Sequence, residues 1–186
     1  DKVGKNGVFV GELESALTSG FVDVAVHSLK DMSSMLPEGY ILAPPPKAPD
    51  VRDVIVAKTP LQREDDLHHM VIATGSNRRK AQLLHFYPHA TTVPIRGNIQ
   101  TRIEKMMASE ADGTILAYAG LERSGLTHCI SCVLDPTRFI PSPSQGLLGI
   151  EISEKRTDLL EIFKEASDPY AHFRMKVERK YQKALD

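Results

Sequence analysis

The sequence predicts an α/β protein built as two lobes, one inserted into the other. Short β-branched runs alternate with helical patterns along the whole chain, the arrangement of helices packed on sheets. Two proline-rich passages, Pro44-Pro45-Pro46-Lys47-Ala48-Pro49 and Phe139-Ile140-Pro141-Ser142-Pro143-Ser144-Gln145-Gly146, lie far apart in the chain. Proline restricts itself and the residue before it, so each passage reads as a stiff crossing between bodies. The segment between them has strands and helices of its own. It forms a second lobe, reached by a two-strand hinge and separated from the first by a cleft. A chain of 186 residues suffices for two small domains. The boundaries fall at 1–46 with 147–167 for the first domain, 47–146 for the second, and 168–186 for a helix entering a third.

Each element follows from local pattern. Residues 2–7 are a loop. Residues 9–18 read as a helix, with Val10, Leu13 and Leu17 on one face and Gly20 just past its end. Residues 22–26 follow as a buried parallel strand, because Val suits a pleated surface covered on both sides. A turn at Pro37-Glu38-Gly39 precedes a strand at 40–43. Past the first crossing come a strand at 54–57, a polar loop or short helix at 60–69 and a strand at 71–73. A helix over 78–87 ends at Pro88-His89. A strand over 91–95 leads to Gly97-Asn98, which caps a helix running to 107 with Ile99, Ile103 and Met106 inward. Residues 113–118 are a strand with a short helix after it. Residues 147–152 return to the first lobe as a strand, and 157–166 form a helix. Asp168-Pro169 opens the last helix as N-cap and first-turn proline. Phe173, Val177, Tyr181 and Leu185 recur there at fours, an apolar stripe expected to pack on a neighbouring domain.

Composition excludes several functions. Hydrophobic residues at 41% and charged residues at 25% describe a soluble globular protein. No apolar run reaches membrane-spanning length and no secretory segment opens the chain, so a cytoplasmic protein without a membrane partner is expected. A net charge of -1 provides no general attraction for nucleic acid, and aromatic stacking platforms are scarce. The charge is nevertheless uneven. Between 71 and 109, Arg78, Arg79, Lys80, Arg96, Arg102 and Lys105 face a single acid, Glu104, which points to a local anionic ligand. Cys129 and Cys132 form a lone CxxC with no second pair, so no metal site is expected and the thiols read as reduced. His68-His69 falls in a polar connection and reads as solvated. The absence of an initiator Met and the unfinished last helix read as part of a longer chain.

The chemistry concentrates where strands give way to helices. Val24-Ala25-Val26-His27-Ser28-Leu29-Lys30-Asp31 delivers a hydroxyl, an ammonium and a carboxylate to one strand end, the usual side for ligands in an open α/β sheet. An ordinary turn with Lys30 and Asp31 paired in solvent is the alternative. Thr74-Gly75-Ser76-Asn77-Arg78-Arg79 opens a helix, where backbone N–H groups and the helix dipole favour an anion. Arg96 with Arg102, and Arg123 after Ala119-Gly120-Leu121-Glu122, mark two further junctions on the same predicted sheet edge. Arginine suits bidentate binding of carboxylates or phosphates. Ser144-Gln145-Gly146 sits at the hinge, where glycine permits close backbone approach.

These segments together, with Ile95-Arg96-Gly97-Asn98-Ile99-Gln100-Thr101-Arg102 and Leu116-Ala117-Tyr118-Ala119-Gly120-Leu121-Glu122-Arg123, resemble the porphobilinogen deaminase family, also called hydroxymethylbilane synthases. The likeness is collinear over essentially the whole chain. It implies two lobes like those of periplasmic binding proteins, followed by a third domain. It implies a cytoplasmic, monomeric transferase of tetrapyrrole (heme) biosynthesis, joining four porphobilinogen molecules head to tail with loss of ammonia. The growing polypyrrole is carried on a dipyrromethane cofactor. By the resemblance Asp31 is the catalytic carboxylate, stabilising cationic pyrrole species. Ser28, Lys30, Thr74, Ser76, Arg78, Arg79 and Lys2 face the cofactor. Arg96, Arg102, Arg123 and Gln145 face substrate or growing chain.

The chain departs from the family in places. Gly75 stands where the family has Ser, Asn77 where it has Leu, and Pro143-Ser144 where it has Val-Gly. Neither Cys129 nor Cys132 matches the cofactor-bearing cysteine, which lies beyond residue 186. Two other readings compete: a two-lobed polycarboxylate-binding module, and an inactive fragment.

Overall fold

A computed structural model describes residues 8–61 and 63–185. The chain divides into two compact units, Asp1–Pro49 with Pro143–Asp186, and Asp50–Ser142.

The first unit is built on three strands, β1 (Ala25–Ser28), β2 (Tyr40–Ala43) and, from the far end of the chain, β8 (Leu148–Ser153). The order is β1-β8-β2, and β8 is antiparallel to both neighbours, with Val26 opposite Ile150 and Ile41 opposite Ile152. The late strand occupies the middle because Gly149-Ile150-Glu151-Ile152 is buried throughout and needs cover on both faces. Leu159, Leu160 and Phe163 of α5 (Thr157–Glu165) pack against the cluster of Ala43, Ile150 and Ile152. Ala171 and Met175 of α6 (Pro169–Leu185) join Leu29, Met32 and Leu147. Helix α1 (Val8–Thr18) precedes the sheet.

The structure corrects the reading of the first strand. It spans Ala25–Ser28 rather than 22–26, and it is antiparallel. Its inward residues are Ala25 and His27, whereas Val26 is 54% exposed. A one-residue register choice decides which face is buried, and a buried partner for His27, described below, sets it here. The apolar stripe on α6, expected to pack on a neighbouring domain, is not the face that packs within this unit. Phe173, Val177, Tyr181 and Leu185 are exposed, and Ala171 and Met175 face inward.

The second unit holds β3 (Asp53–Ala57), β4 (Val71–Ala73), β5 (Thr91–Val93), β6 (Gly113–Ala117) and a short β7 (Cys132–Val133). Their order is β5-β4-β6-β3-β7. Strand β4 runs parallel to β5 and β6, while β3 is antiparallel to β6 and β7. Alternate residues feed two cores. Ile55, Ile72, Ile115 and Leu83 lie in one; Val54, Val56, Leu116, Met106 and Leu121 lie in the other. Helices α2 (Asn77–Phe86), α3 (Ile99–Met107) and α4 (Tyr118–Arg123) follow β4, β5 and β6. Because those three strands are parallel, all three helices begin at the same sheet edge.

Candidate functional site

The second unit gathers a basic edge at the carboxyl ends of β4, β5 and β6. Asp53, the first residue of β3, pairs in register with Ala117, the last of β6, and so stands at that edge too. Strand β4 ends in Thr74-Gly75-Ser76. Thr74 Oγ1 accepts the Ser76 N–H at 3.2 Å, and Ser76 Oγ accepts the Arg79 N–H at 3.4 Å as the N-cap of α2. Both hydroxyl oxygens thus shape the turn, and their O–H groups are the part able to donate to an anion. A Cβ at Gly75 would lie 2.7 Å from the Ile95 carbonyl oxygen. Glycine here lets the β4–α2 turn lie against the end of the neighbouring segment.

Arg78 and Arg79 converge on Asp53. Arg79 donates from Nε and Nη2 to Asp53 Oδ1 at 3.1 and 2.7 Å, and from Nη1 to the Ile115 carbonyl at 2.9 Å. Arg78 donates from Nη2 to Asp53 Oδ2 at 2.7 Å and from Nη1 to the Ile140 carbonyl at 2.6 Å. Asp53 is fully buried and Arg79 nearly so, while a quarter of the Arg78 side chain is exposed. One carboxylate facing two guanidinium groups leaves the trio positive. Gln82, one turn along α2, brackets the same Ile140 peptide, donating to its carbonyl at 3.0 Å and accepting its N–H at 2.7 Å. Asp53 was not among the sequence candidates. The only hint was an acid heading an otherwise apolar strand.

The other arginines stand further along the edge. Arg96 is exposed ahead of α3. Asn98 caps that helix, accepting the Thr101 N–H at 2.8 Å, and Arg102 donates to the Gly97 carbonyl at 2.6 Å. Arg123 is exposed at the last turn of α4.

In the first unit, Ser28 ends β1 with its side chain exposed, and Leu29–Asp31 form a single 3-10 turn. Leu29 is buried and anchors the turn; Asp31 is exposed. Lys30 is half-buried and donates to Gln145 Oε1 at 3.3 Å. Gln145, expected to face substrate, is only 1% exposed. Lys2 lies outside the described residues.

Beneath this turn is a buried pair that sequence reading missed. His27 Nε2 lies 3.1 Å from Glu151 Oε2, and Glu151 is fully buried. Burial, helped by Glu14 and opposed by Arg179, pushes the Glu151 carboxyl up to about 7. Burial also pulls His27 below its ordinary value. Both shifts favour the uncharged forms of the pair.

The remaining polar groups are less organised. Among the described residues no trio of His, Cys, Asp or Glu is placed to hold a metal. Burial pushes the Cys132 thiol up, away from the thiolate that a reactive or ligating cysteine needs. His68 is half-buried rather than solvated, edge-on to Tyr87 at 5.2 Å between ring centroids. No described helix is long and apolar enough to cross a membrane.

Comparison with known proteins places this geometry. The VFT2 domain of Bordetella pertussis BvgS, a periplasmic domain, superposes with a TM-score of 0.50 at 17% identity, covering 93% of this chain and 72% of that one. This supports the two-lobed α/β class and nothing finer. The porphobilinogen deaminase of Clostridium novyi is 40% identical over 190 residues, spanning 100% of this chain and 63% of that protein. That of Bacillus subtilis is 40% identical over 186 residues, spanning 100% and 59%. The chain therefore spans about three-fifths of the length of these curated relatives. Residues 1–161 match the family model described as porphobilinogen deaminase, dipyromethane cofactor binding domain. With that match and identity sustained end to end, the chain belongs to the porphobilinogen deaminase family.

Proposed function

We propose that this chain supplies the catalytic carboxylate and the anion-binding edge of an enzyme that condenses porphobilinogen into linear hydroxymethylbilane. The observation that supports it most directly is the basic edge of the second unit, where three parallel strands give way to helices, with Arg78 in α2, Arg96 just before α3, Arg102 within α3 and Arg123 at the last turn of α4. Porphobilinogen and its oligomers carry acetate and propionate groups, and clustered guanidinium groups suit them.

The donor set fits a dipyrromethane cofactor by its chemistry. Arg78 is partly exposed, Thr74 and Ser76 can donate hydroxyl protons, and the first turn of α2 offers backbone N–H groups. When bound, that cofactor supplies the covalent primer for the growing chain. Arg79, buried and fully engaged, supports it by holding Asp53 and thereby the Arg78 guanidinium. By the family likeness Ser28 and Lys30 of the first unit are also assigned to the cofactor, and Arg96, Arg102 and Arg123 to substrate. Asp31, exposed on its turn, stabilises the positive charge that develops on a pyrrole as its aminomethyl group loses ammonia. A fixed carboxylate can also hold pyrrole N–H groups. Helix α6 leads into a further domain that carries the cofactor thiol, in a cytoplasmic monomer.

The test uses the chain extended to the length of its relatives. Asp31→Ala is expected to remain folded and lose turnover by at least about 10²-fold, the scale of a positioned electrostatic or acid–base group. Near-normal bilane formation by that variant sinks the assignment.

A further inference from the structure

We infer that helix α6 sets the position of the Lys30 ammonium, acting through Ser144 and Gln145. The inference rests on the reading that Lys30 belongs to the ligand site. The observations form one unbroken chain of polar contacts within the first unit. Ser144 is fully buried and adopts φ 63°, a left-handed conformation unusual for a residue other than glycine. Side chains of α6 hold it there. Glu178 Oε2 accepts the Ser144 N–H, and Gln182 Oε1 accepts the Ser144 hydroxyl at 3.2 Å. Arg174 ties the clamp together, donating from Nε to Glu178 Oε1 at 2.7 Å and from Nη2 to the Gln145 carbonyl at 2.5 Å.

The backbone of Ser144 and Gln145 is thus gripped at the N–H of the first and the carbonyl of the second. That grip aims the Gln145 side chain, whose Oε1 accepts from Lys30 at 3.3 Å. With Gln145 only 1% exposed, its amide has little freedom to follow a mobile ammonium. Lys30 is thereby drawn toward the point where Gln145 Oε1 is held. Arg174, Glu178 and Gln182 lie at spacings of four on α6, a polar stripe beside the inward Ala171 and Met175. Positioned this way, α6 is mechanically linked to the turn that bears Lys30 and Asp31. Arg174, Glu178 and Gln182 are positioning residues; none needs to touch a ligand.

Amine reactivity reads Lys30 directly and needs no turnover, so a failure here is separable from a failure of the assigned activity. The folded protein is treated with a limiting N-hydroxysuccinimide acetate reagent over a range of pH. Acylation of Lys30 is then measured by peptide mass spectrometry against exposed Lys155. Gln145→Ala, Arg174→Ala and Glu178→Ala are each expected to raise the relative Lys30 rate at least about threefold, the scale of one lost hydrogen bond. Lys180→Ala, on the exposed side of the same helix, is expected to leave it unchanged. If Glu178→Ala does not fold, Glu178→Ala with Ser144→Gly removes the conformational demand and provides the same comparison. Lys30 rates equal to the parent in the folded Arg174 and Glu178 variants, with a raised rate in Gln145→Ala, overturn the role of α6. Equal rates in all three overturn the inference entirely.

Discussion

Ser144, Glu151 and Asp53 carry more of this structure than their residue types announce. Ser144 holds φ 63° in a fully buried position. Ser144→Gly relieves backbone strain, loses one hydroxyl contact and adds freedom to the unfolded chain. Those effects offset, and thermal melts should place it within about 0.5 kcal/mol of the parent. Ser144→Val puts a β-branched side chain into the left-handed region and should cost about 2–3 kcal/mol. Glu151 makes a pH prediction with a definite sign. Its carboxyl is raised from 4.5 to about 7 by burial. Between those values the folded state keeps a proton that the unfolded state has released, so stability falls as pH rises through the window. His27 is shifted down and acts oppositely, lowering stability as pH falls below its ordinary value. Glu151→Gln keeps an acceptor for the imidazole and removes the first slope. Denaturant melts from about pH 5 to 8 should show the parent losing up to about 3 kcal/mol relative to this variant. Parallel profiles would remove Glu151 as the cause.

Helix α2 shows how one element is made to serve a site. Its N-terminus is capped by Ser76 and brought close to the adjacent segment by Gly75. Its first two arginines close on Asp53, and Gln82 ties its next turn to Ile140. Asp53→Asn should destabilise the second unit by about 3 kcal/mol, since it leaves two guanidinium groups facing a neutral amide. Urea melts followed by a probe in that unit would measure it. An unchanged midpoint would mean that the arginines find other partners. Helix α6 presents a different division of labour. Its inward face joins the apolar Ala171 and Met175 to the polar Arg174, Glu178 and Gln182, while Phe173, Val177, Tyr181 and Leu185 stand exposed.

For the whole molecule, the 186-residue chain by itself is expected not to sustain bilane formation. The chain spans about three-fifths of the length of its curated relatives, and neither of its cysteines, Cys129 and Cys132, is expected to carry the cofactor. Processive addition depends on each intermediate being held in place, and holding reactants accounts for much of a catalysed rate. Incubating the purified chain with porphobilinogen and following bilane by its absorbance is the test. Sustained formation, with no longer species by mass, would show that the anchor has been misplaced.

Local pattern determined a great deal here. Alternating β-branched and amphipathic runs, proline crossings and N-cap residues placed nearly every strand and helix within a few residues, because each depends on neighbours in sequence. The motif segments also identified the family. Three features were decided only by tertiary structure. The first strand turned antiparallel and buried Ala25 and His27, since its partner β8 comes more than a hundred residues later and brings Glu151. Asp53 became the hub of Arg78 and Arg79 only when β3 paired against β6. Gln145 turned inward to Lys30 because α6 grips the passage beside it. In each case the deciding partner is remote in sequence, and burial made an unpaired polar group too costly to leave. Composition and spacing report on neighbours along the chain; they contain no term for a charge that another segment will bury.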